Sequence, residues 1–433
     1  MSKFVVEGGH ELSGSLAVNT AKNSAVSILC ASLMVKGEVV LYDMPRIEEV
    51  YRILEILESI NVEVVWKDEH TLYLNTGKKL TMDKIDKKAT EVTRSSLMLL
   101  GALAAREKEF KIYKSGGCRL GERTVKPHLF ALEKFGVSVV SKAKYYDVKN
   151  KPLKSADIVM YESGDTPTEN AIMAAVLAPG VTTIKFASSN YMVQDLCYFL
   201  QSAGAKIEGI GNTTLKITGV KKLNPIKKYH IIPDPIEAMT FIALAITTKS
   251  ELTIKNCPLD FLELELEKLS VMGQKFQIKN KRKSLSGNFD VVDIKFLKSE
   301  LKALPDKIYG RPFPGLNIDN LPLFVPILTQ AKGRTLVHDW VYENRAIYFL
   351  DFQKLGANIT LLDPHRVFVE GPTELKGNEF MCPPAIRPAV ALLVAMIAAS
   401  GKSVMRNSYT IERGYENLAE RLATVGAKIT HEE

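Results

Sequence analysis

The chain has 433 residues, 46% of them hydrophobic, and 57 Lys and Arg stand against 49 Asp and Glu for a formal charge of +8. That length and apolar fraction predict two globular domains of roughly 200 residues each and exclude a disordered or fibrous chain. The charge excess is modest, and the densest basic run, Lys279 to Lys283, lacks interleaved aromatics and precedes Ser284, Ser286 and Gly287, so a solvated hairpin tip is expected there and nucleic acid is not called for.

The amino terminus, Met1-Ser2-Lys3-Phe4, alternates like a strand and lacks the apolar core and cleavage site of a signal peptide. Apolar stretches such as Ala389 to Ala399 fall short of the roughly 20 residues that cross a bilayer, so a cytoplasmic protein without a membrane segment is expected. Cys30, Cys118, Cys197, Cys257 and Cys382 are odd in number and widely spaced, with no Cys-x-x-Cys pair. Free thiols are predicted, and neither a disulfide framework nor a zinc site.

A helix-like stretch ending in glycine and leading into an alternating strand recurs along the chain, marked by Gly136, Gly204, Gly273, Gly356 and Gly426. Asn61 stands in the glycine place of a further copy, as the other residue that tolerates a left-handed helix end. Six repeats of about 70 residues result. Between the marks lie six apolar, small-residue helices, predicted at Asn23 to Val35, Arg94 to Arg106, Thr168 to Ala178, Ile236 to Thr247, Leu321 to Ala331 and Arg387 to Ser400. Helices apolar nearly all round belong inside a domain. Each repeat is therefore expected to supply one buried helix, one more amphipathic helix and several strands. Three repeats per domain give two similar α/β domains, 22–232 and 1–21 with 233–433, crossing near Ile232-Pro233-Asp234-Pro235, with the chemistry expected in the interdomain cleft.

Cations stand where buried helices begin: Lys22 before the first, Arg94 at the second, Arg387 at the sixth. A helix amino terminus already carries positive potential, so a cation there is unfavourable unless an anion occupies the site. Three unrelated surface cations are the blander alternative. Arg123, Arg345 and Arg413 sit in turn-like contexts, and a guanidinium fork suits carboxylate or phosphate. Cys118 lies in a glycine-rich loop with Lys114, Arg119 and Arg123, where positive charge favours the thiolate, whereas Cys30 and Cys197 read as core residues. Asp319, before the fifth buried helix, reads either as a helix cap or as a general base beside an anion site. There is no Walker loop, no Gly-x-Gly-x-x-Gly and no His-Glu-x-x-His, so no cofactor or metal is expected.

Ala21-Lys22-Asn23, Thr93-Arg94-Ser95, Gly116-Gly117-Cys118 with Gly121, Arg123 and His128, Thr168-Glu169-Asn170, Pro233-Asp234 with Ile236-Glu237, Glu343-Asn344-Arg345 and Glu412-Arg413-Gly414-Tyr415-Glu416 together resemble the enolpyruvyl transferases over nearly the whole chain. The resemblance implies two inside-out α/β domains of three repeats each, closing over phosphoenolpyruvate and a nucleotide-sugar substrate, UDP-N-acetylglucosamine first among acceptors. It also implies that Arg123, Arg387 and Arg413 hold phosphoenolpyruvate and that Lys22, Arg94 and Arg345 complete the anion-binding set. By the same likeness Cys118 reacts with phosphoenolpyruvate and assists proton transfer or product release, Asp319 takes the acceptor hydroxyl proton, and Asn23 hydrogen-bonds the acceptor or the intermediate. The departures cluster on the acceptor side: Thr124 and Lys126 where Pro and Asp are common, Pro235 for an arginine, Ile318 for a threonine, Ala385 for an aspartate, and Gly164-Asp165-Thr166-Pro167 for Ser-Val-Gly-Ala. They leave open a relative acting on a different nucleotide or sugar, or a binding protein without catalysis.

Overall fold

The computed structural model describes residues 2–114 and 124–432; Cys118 and Arg123, with the glycine-rich loop around them, lie outside the described residues. Two compact units divide the chain, one taking residues 2–19 and 233–432, the other 20–114 and 124–232.

Among the described residues, each unit holds three sheets, matching the six repeats read from the glycine marks. In the unit of residues 20–232 the strand orders are Ile226–His230, Glu38–Tyr42, Leu72–Asn75, Glu63–Trp66; then Glu109–Tyr113, Tyr145–Asn150, Val137–Ser141; then Lys206–Glu208, Thr214–Thr218, Val181–Lys185, Asp157–Val159. The other unit has Phe276–Lys283, Asp290–Phe296, Glu251–Pro258, Ser13–Ala17; Ile308–Tyr309, Gly333–His338, Arg366–Gly371, Asn358–Asp363; and Glu379–Met381, Gly401–Arg406, Lys3–Gly8, Lys428–Glu432. Every four-stranded sheet has one parallel edge pair, the rest antiparallel.

That parallel edge strand normally precedes the buried helix and pairs with the strand that follows it, as Asp157–Val159 does with Val181–Lys185. Two strands break the rule. Ser13–Ala17 precedes the first buried helix yet pairs with Glu251–Pro258, and Ile226–His230 precedes the fourth yet pairs with Glu38–Tyr42. The chain passes from one unit to the other at these points, and the backbone beside each passage is hydrogen-bonded, Ala21 N–H to the Ile232 carbonyl at 2.8 Å and Asp234 N–H to the Asn19 carbonyl at 2.7 Å.

Helices form the inside of each unit. All thirteen residues of the Pro235–Thr247 helix are buried, as are eleven in Ile386–Ala398. Burying one Leu, Ile or Phe side chain contributes about 1.5–3 kcal/mol, which outweighs the weak helix propensity of the β-branched residues here. The turn after each amphipathic helix has the expected geometry: φ is +96° at Gly136, +98° at Gly204, +92° at Gly273, +93° at Gly356, +95° at Gly426 and +76° at Asn61. Gly8 and Gly371 serve another purpose, since a Cβ there would lie 2.3 and 2.6 Å from the Ala399 and Thr329 carbonyl oxygens just beyond a helix end.

Several predicted elements differ in detail. The second buried helix is a 3-10 turn, Arg94–Met98, followed by a short α-turn, Leu99–Ala102. The reason is Asn170, whose side-chain amide accepts from Gly101 N–H at 2.7 Å and donates to the Leu97 carbonyl at 3.1 Å. Those two groups would bond each other in an α-helix, so the inserted amide splits the ladder. The third helix begins at Asp165, taking Gly164 to Pro167 into its cap and first turn. Pro326 sits inside the fifth, Leu321–Leu328, and the amphipathic stretch expected after Arg345 winds as a 3-10 helix, Arg345–Leu355. The basic run Lys279 to Lys283 lies on the strand leading to the hairpin tip rather than at the tip, which is closed by Ser284 N–H on the Phe289 carbonyl. Lys281 and Lys283 pair with Asp290 at 3.1 and 2.7 Å, and Arg282 with Asp293 at 3.0 Å. Among the described residues no helix is long and apolar enough to cross a membrane.

Candidate active site

In the unit containing the carboxy terminus, a carboxylate stands among cations. Asp319 precedes the fifth buried helix but does not cap it: Asn320 holds the N-cap position, and Asp319 N–H donates to the Asn317 side chain at 2.9 Å. The Asp319 carboxylate instead faces two guanidiniums. Arg387 Nε lies 3.4 Å from Oδ2, and Arg345 Nη1 lies 3.8 Å from Oδ1.

Arg345 is 1% exposed, unlike the turn cation that its neighbourhood predicts. Its Nε pairs with Asp339, its Nη2 donates to the Ile318 carbonyl at 2.7 Å, and its guanidinium stacks 4.3 Å from the Tyr342 ring centre. A cation this deep requires a partner, and Asp339, directly after the Gly333–His338 strand, supplies it. Burial pushes the Asp339 carboxyl up, opposed by Arg345. Asp339 was not among the residues that the sequence singled out; its one signal is a carboxylate directly after the Gly333–His338 strand, on the side of the buried Thr335 and Val337.

Arg387 occupies the second position of the Ile386–Ala398 helix, whose cap, Ala385, offers no side-chain acceptor and whose first turn holds no acid. The side chain is 6% exposed, and Nη1 donates to the Tyr415 hydroxyl at 3.2 Å. Asp234 accepts from Ile236 N–H at 2.8 Å as the cap of the fourth helix, its carboxyl pushed up to about 6 by burial against the opposing charge of Arg387. Glu237 is held bidentately by Arg421 at 2.6 and 3.0 Å. Arg413 is half-buried and directly follows the Tyr409–Glu412 turn, two residues before Tyr415.

The other unit has its own cluster at the ends of buried helices. Lys22 and Asn23, both half-buried, open the first helix, whose cap Ala21 has no side-chain bond, and Asn23 Nδ2 donates to the Tyr191 hydroxyl at 3.0 Å. Arg94 opens the 3-10 turn capped by Thr93 and reaches the Thr124 carbonyl at 3.2 Å. Beneath it His128 accepts at Nδ1 from the Asn170 amide at 2.8 Å, and burial, reinforced by the charge of Arg94, brings its pKa down to about 3. His128 is therefore a neutral strut. Asp165 accepts from Ser188 Oγ at 2.5 Å and from Asn190 at 3.2 Å. Lys126 and Thr124 are exposed, while Pro235 and Ala385 are buried in the helix starts of the first-described unit.

Asp319, Arg345 and Arg387 thus form one contiguous group, and Lys22, Asn23 and Arg94 all stand at helix starts. Cys118 and Arg123 lie outside the described residues. Among those described, no three His, Cys, Asp or Glu side chains are grouped to hold a metal ion. Cys30, Cys197 and Cys257 are buried free thiols whose pKa burial raises, and the Cys382 thiol is pushed up to about 12.

Comparison with known proteins bears on the family and the fold. The family model of EPSP synthase (3-phosphoshikimate 1-carboxyvinyltransferase) matches residues 6–422. UDP-N-acetylglucosamine 1-carboxyvinyltransferase of Borrelia garinii is 35% identical over 99% of both chains, and the proteins of that name from Treponema denticola and Bacteroides fragilis are each 34% identical over 99% of this chain and 99% and 100% of their own. Among solved structures, the enolpyruvyl transferase NikO of Streptomyces tendae superposes with a TM-score of 0.85 at 23% identity, covering 100% of this chain and 99% of its own. EPSP synthase of Acinetobacter baumannii superposes with a TM-score of 0.78 at 17% identity over the full length of both. Those two likenesses fix the fold as that of the two-domain transferases, and the family match together with the relatives' identity over full length means that this chain belongs to the enolpyruvyl transferases.

Proposed function

We propose that the protein transfers the enolpyruvyl group of phosphoenolpyruvate to a hydroxyl of UDP-N-acetylglucosamine and releases inorganic phosphate, the first committed step of peptidoglycan synthesis. The observation that carries the chemistry is Asp319, a carboxylate fixed by Arg387 at 3.4 Å and Arg345 at 3.8 Å. The acceptor is supported by the name that relatives at 34–35% identity share.

Asp319 takes the acceptor proton as the hydroxyl oxygen bonds to carbon 2 of phosphoenolpyruvate and carbon 3 gains a proton. The resulting tetrahedral adduct keeps its phosphate. Loss of a proton from carbon 3 then restores the double bond as the carbon 2–oxygen bond to phosphate breaks. Arg387 and Arg413, with Arg123, bind the carboxylate and phosphate of the donor, and their fixed charges stabilise the adduct without reorganising. Cys118 assists proton transfer or release. Lys22, Asn23 and Arg94 bind anionic or polar parts of the substrates from helix starts that favour negative charge. Arg345, being buried, acts through Asp319.

Lys126 gives a second reading its basis. An exposed cation opens the Lys126–Lys134 helix at a position where the family's acceptor contact is commonly acidic, which favours a different nucleotide or sugar. Phosphate release from phosphoenolpyruvate, measured with UDP-N-acetylglucosamine and then with other uridine nucleotides and nucleotide sugars, tests both. Release with UDP-N-acetylglucosamine supports the first reading; release only with another acceptor replaces it; no release with any acceptor indicates a binding protein.

A further inference from the structure

The Arg387 guanidinium is oriented by a chain of buried hydroxyls that runs in one direction. Arg387 Nη1 can only donate, and it meets the Tyr415 hydroxyl at 3.2 Å. Tyr415 lies 2.7 Å from Thr240 Oγ1, which is placed to donate to the Ile236 carbonyl at 3.0 Å, one turn back on its own helix. Accepting from Arg387, the Tyr415 hydroxyl spends its proton on Thr240, and Thr240 spends its own on Ile236. Each group makes the bond that its neighbours leave to it. Arg387, Tyr415 and Thr240 are 6%, 3% and 3% exposed. Burial holds the Tyr415 phenol in its protonated form.

We infer that Tyr415 and Thr240 are positioning residues for the donor substrate: the Tyr415 hydroxyl, backed by Thr240, sets the Arg387 guanidinium in register with Asp319 and ties the segment bearing Arg413 to it. Two features of this unit support the inference. Arg387 gives Nε to Asp319, and the bond from Nη1 to Tyr415 adds a second point that restrains rotation of the guanidinium plane. Tyr415 follows Arg413 by two residues, so anchoring its side chain restrains the backbone that carries the second cation. A phenyl ring at 415 would fill the same space and keep the ring 5.7 Å from the Arg387 guanidinium, losing only the oxygen.

The inference rests on the assignment of Arg387 and Arg413 to phosphoenolpyruvate, so the test reads donor binding separately from turnover. Tyr415→Phe, Thr240→Val and Thr240→Ser proteins are compared with the wild type for binding of phosphoenolpyruvate by calorimetry and for steady-state phosphate release with any acceptor that the wild type uses. Loss of one bond to a buried guanidinium predicts about a tenfold rise in Kd and KM for phosphoenolpyruvate in both Tyr415→Phe and Thr240→Val, with KM for the acceptor changed by less than about twofold. Thr240→Ser restores the hydroxyl and donor affinity, and the double variant Tyr415→Phe/Thr240→Val is no weaker than either single one, because both cut one chain. A purely structural role would instead lower the active fraction and melting temperature and leave the donor KM in place. Should Tyr415→Phe fail to fold, Thr240→Val carries the same test. Unchanged donor affinity in the folded variants overturns the positioning role, whereas wild-type protein that binds phosphoenolpyruvate but is silent with UDP-N-acetylglucosamine overturns only the acceptor reading.

Discussion

Asp319 Oδ2 and Arg387 Nε lie 3.4 Å apart although 68 residues separate them in the chain. Each stands at the start of a buried helix, and helices packed inside one unit bring their starting residues together. The pair joins the group proposed to accept a proton to a group proposed to bind the donor.

Asp319→Asn keeps size and shape but removes the base, and turnover should fall by about 10²–10⁴-fold, in the range of a lost general base. Circular dichroism and the melting temperature should stay close to wild type. A rate within about threefold of wild type would remove Asp319 from the proton-accepting role.

Arg345 and Asp339 are both at most 1% exposed, so removing one leaves the other charge buried alone. Arg345→Met should lower stability by about 3–5 kcal/mol in urea denaturation, and Arg345→Lys should restore little of it, since a point charge cannot serve Asp339 and the Ile318 carbonyl together. A loss below about 1 kcal/mol would show that the pair is not what holds this turn.

Glu169 is 1% exposed, and burial, reinforced by Asp165, raises its carboxyl well above the ordinary range. The folded protein therefore retains a proton that the unfolded chain releases above about pH 4.5. Stability from this group is full at lower pH and is lost as pH rises toward the folded value. Glu169→Gln has no such loss, so its melting temperature relative to wild type should climb between pH 5 and pH 8. A pH-independent difference would show that Glu169 is ionised in the fold.

His128 works in the opposite direction. With its folded pKa brought down to about 3, the ring stays neutral where the unfolded chain takes up a proton, so its contribution is present above about pH 6.5 and is lost as pH falls toward 3. His128→Gln should flatten the acid side of the stability profile, as followed by thermal melts from pH 7 to pH 4. An unchanged slope would assign the acid loss to other groups.

Four thiols, Cys30, Cys197, Cys257 and Cys382, are shielded and have raised pKa values. Alkylation at pH 7.5 should show one fast thiol, lost in Cys118→Ser, and four slow ones. Uniformly slow labelling would contradict the reactive reading of Cys118.

The repeat, the buried helices and the positions of the cations were legible in the chain alone. A glycine or asparagine is needed wherever a helix ends left-handed, and a helix with no polar face has nowhere to lie but inside; both are local requirements that composition and spacing reveal. The exchange of Ser13–Ala17 and Ile226–His230 between sheets was not legible in this way, because strand pairing depends on which edges meet, not on the strand's own pattern.

Sequence by itself also singled out Arg387 as a cation at a helix start, Arg345 as a turn cation suited to an anion, and Asp319 as a helix cap or a general base. Only the tertiary structure decided how they are used. Arg345 is buried because Asp339 neutralises it, Arg387 is aimed because Tyr415 and Thr240 complete its bonds, and the second buried helix breaks because Asn170 takes the place of a backbone bond. For Arg387 and the second buried helix the deciding partner comes from a distant stretch of chain, for Arg345 from the end of the preceding strand, and a buried polar group is stable only when such a partner is present.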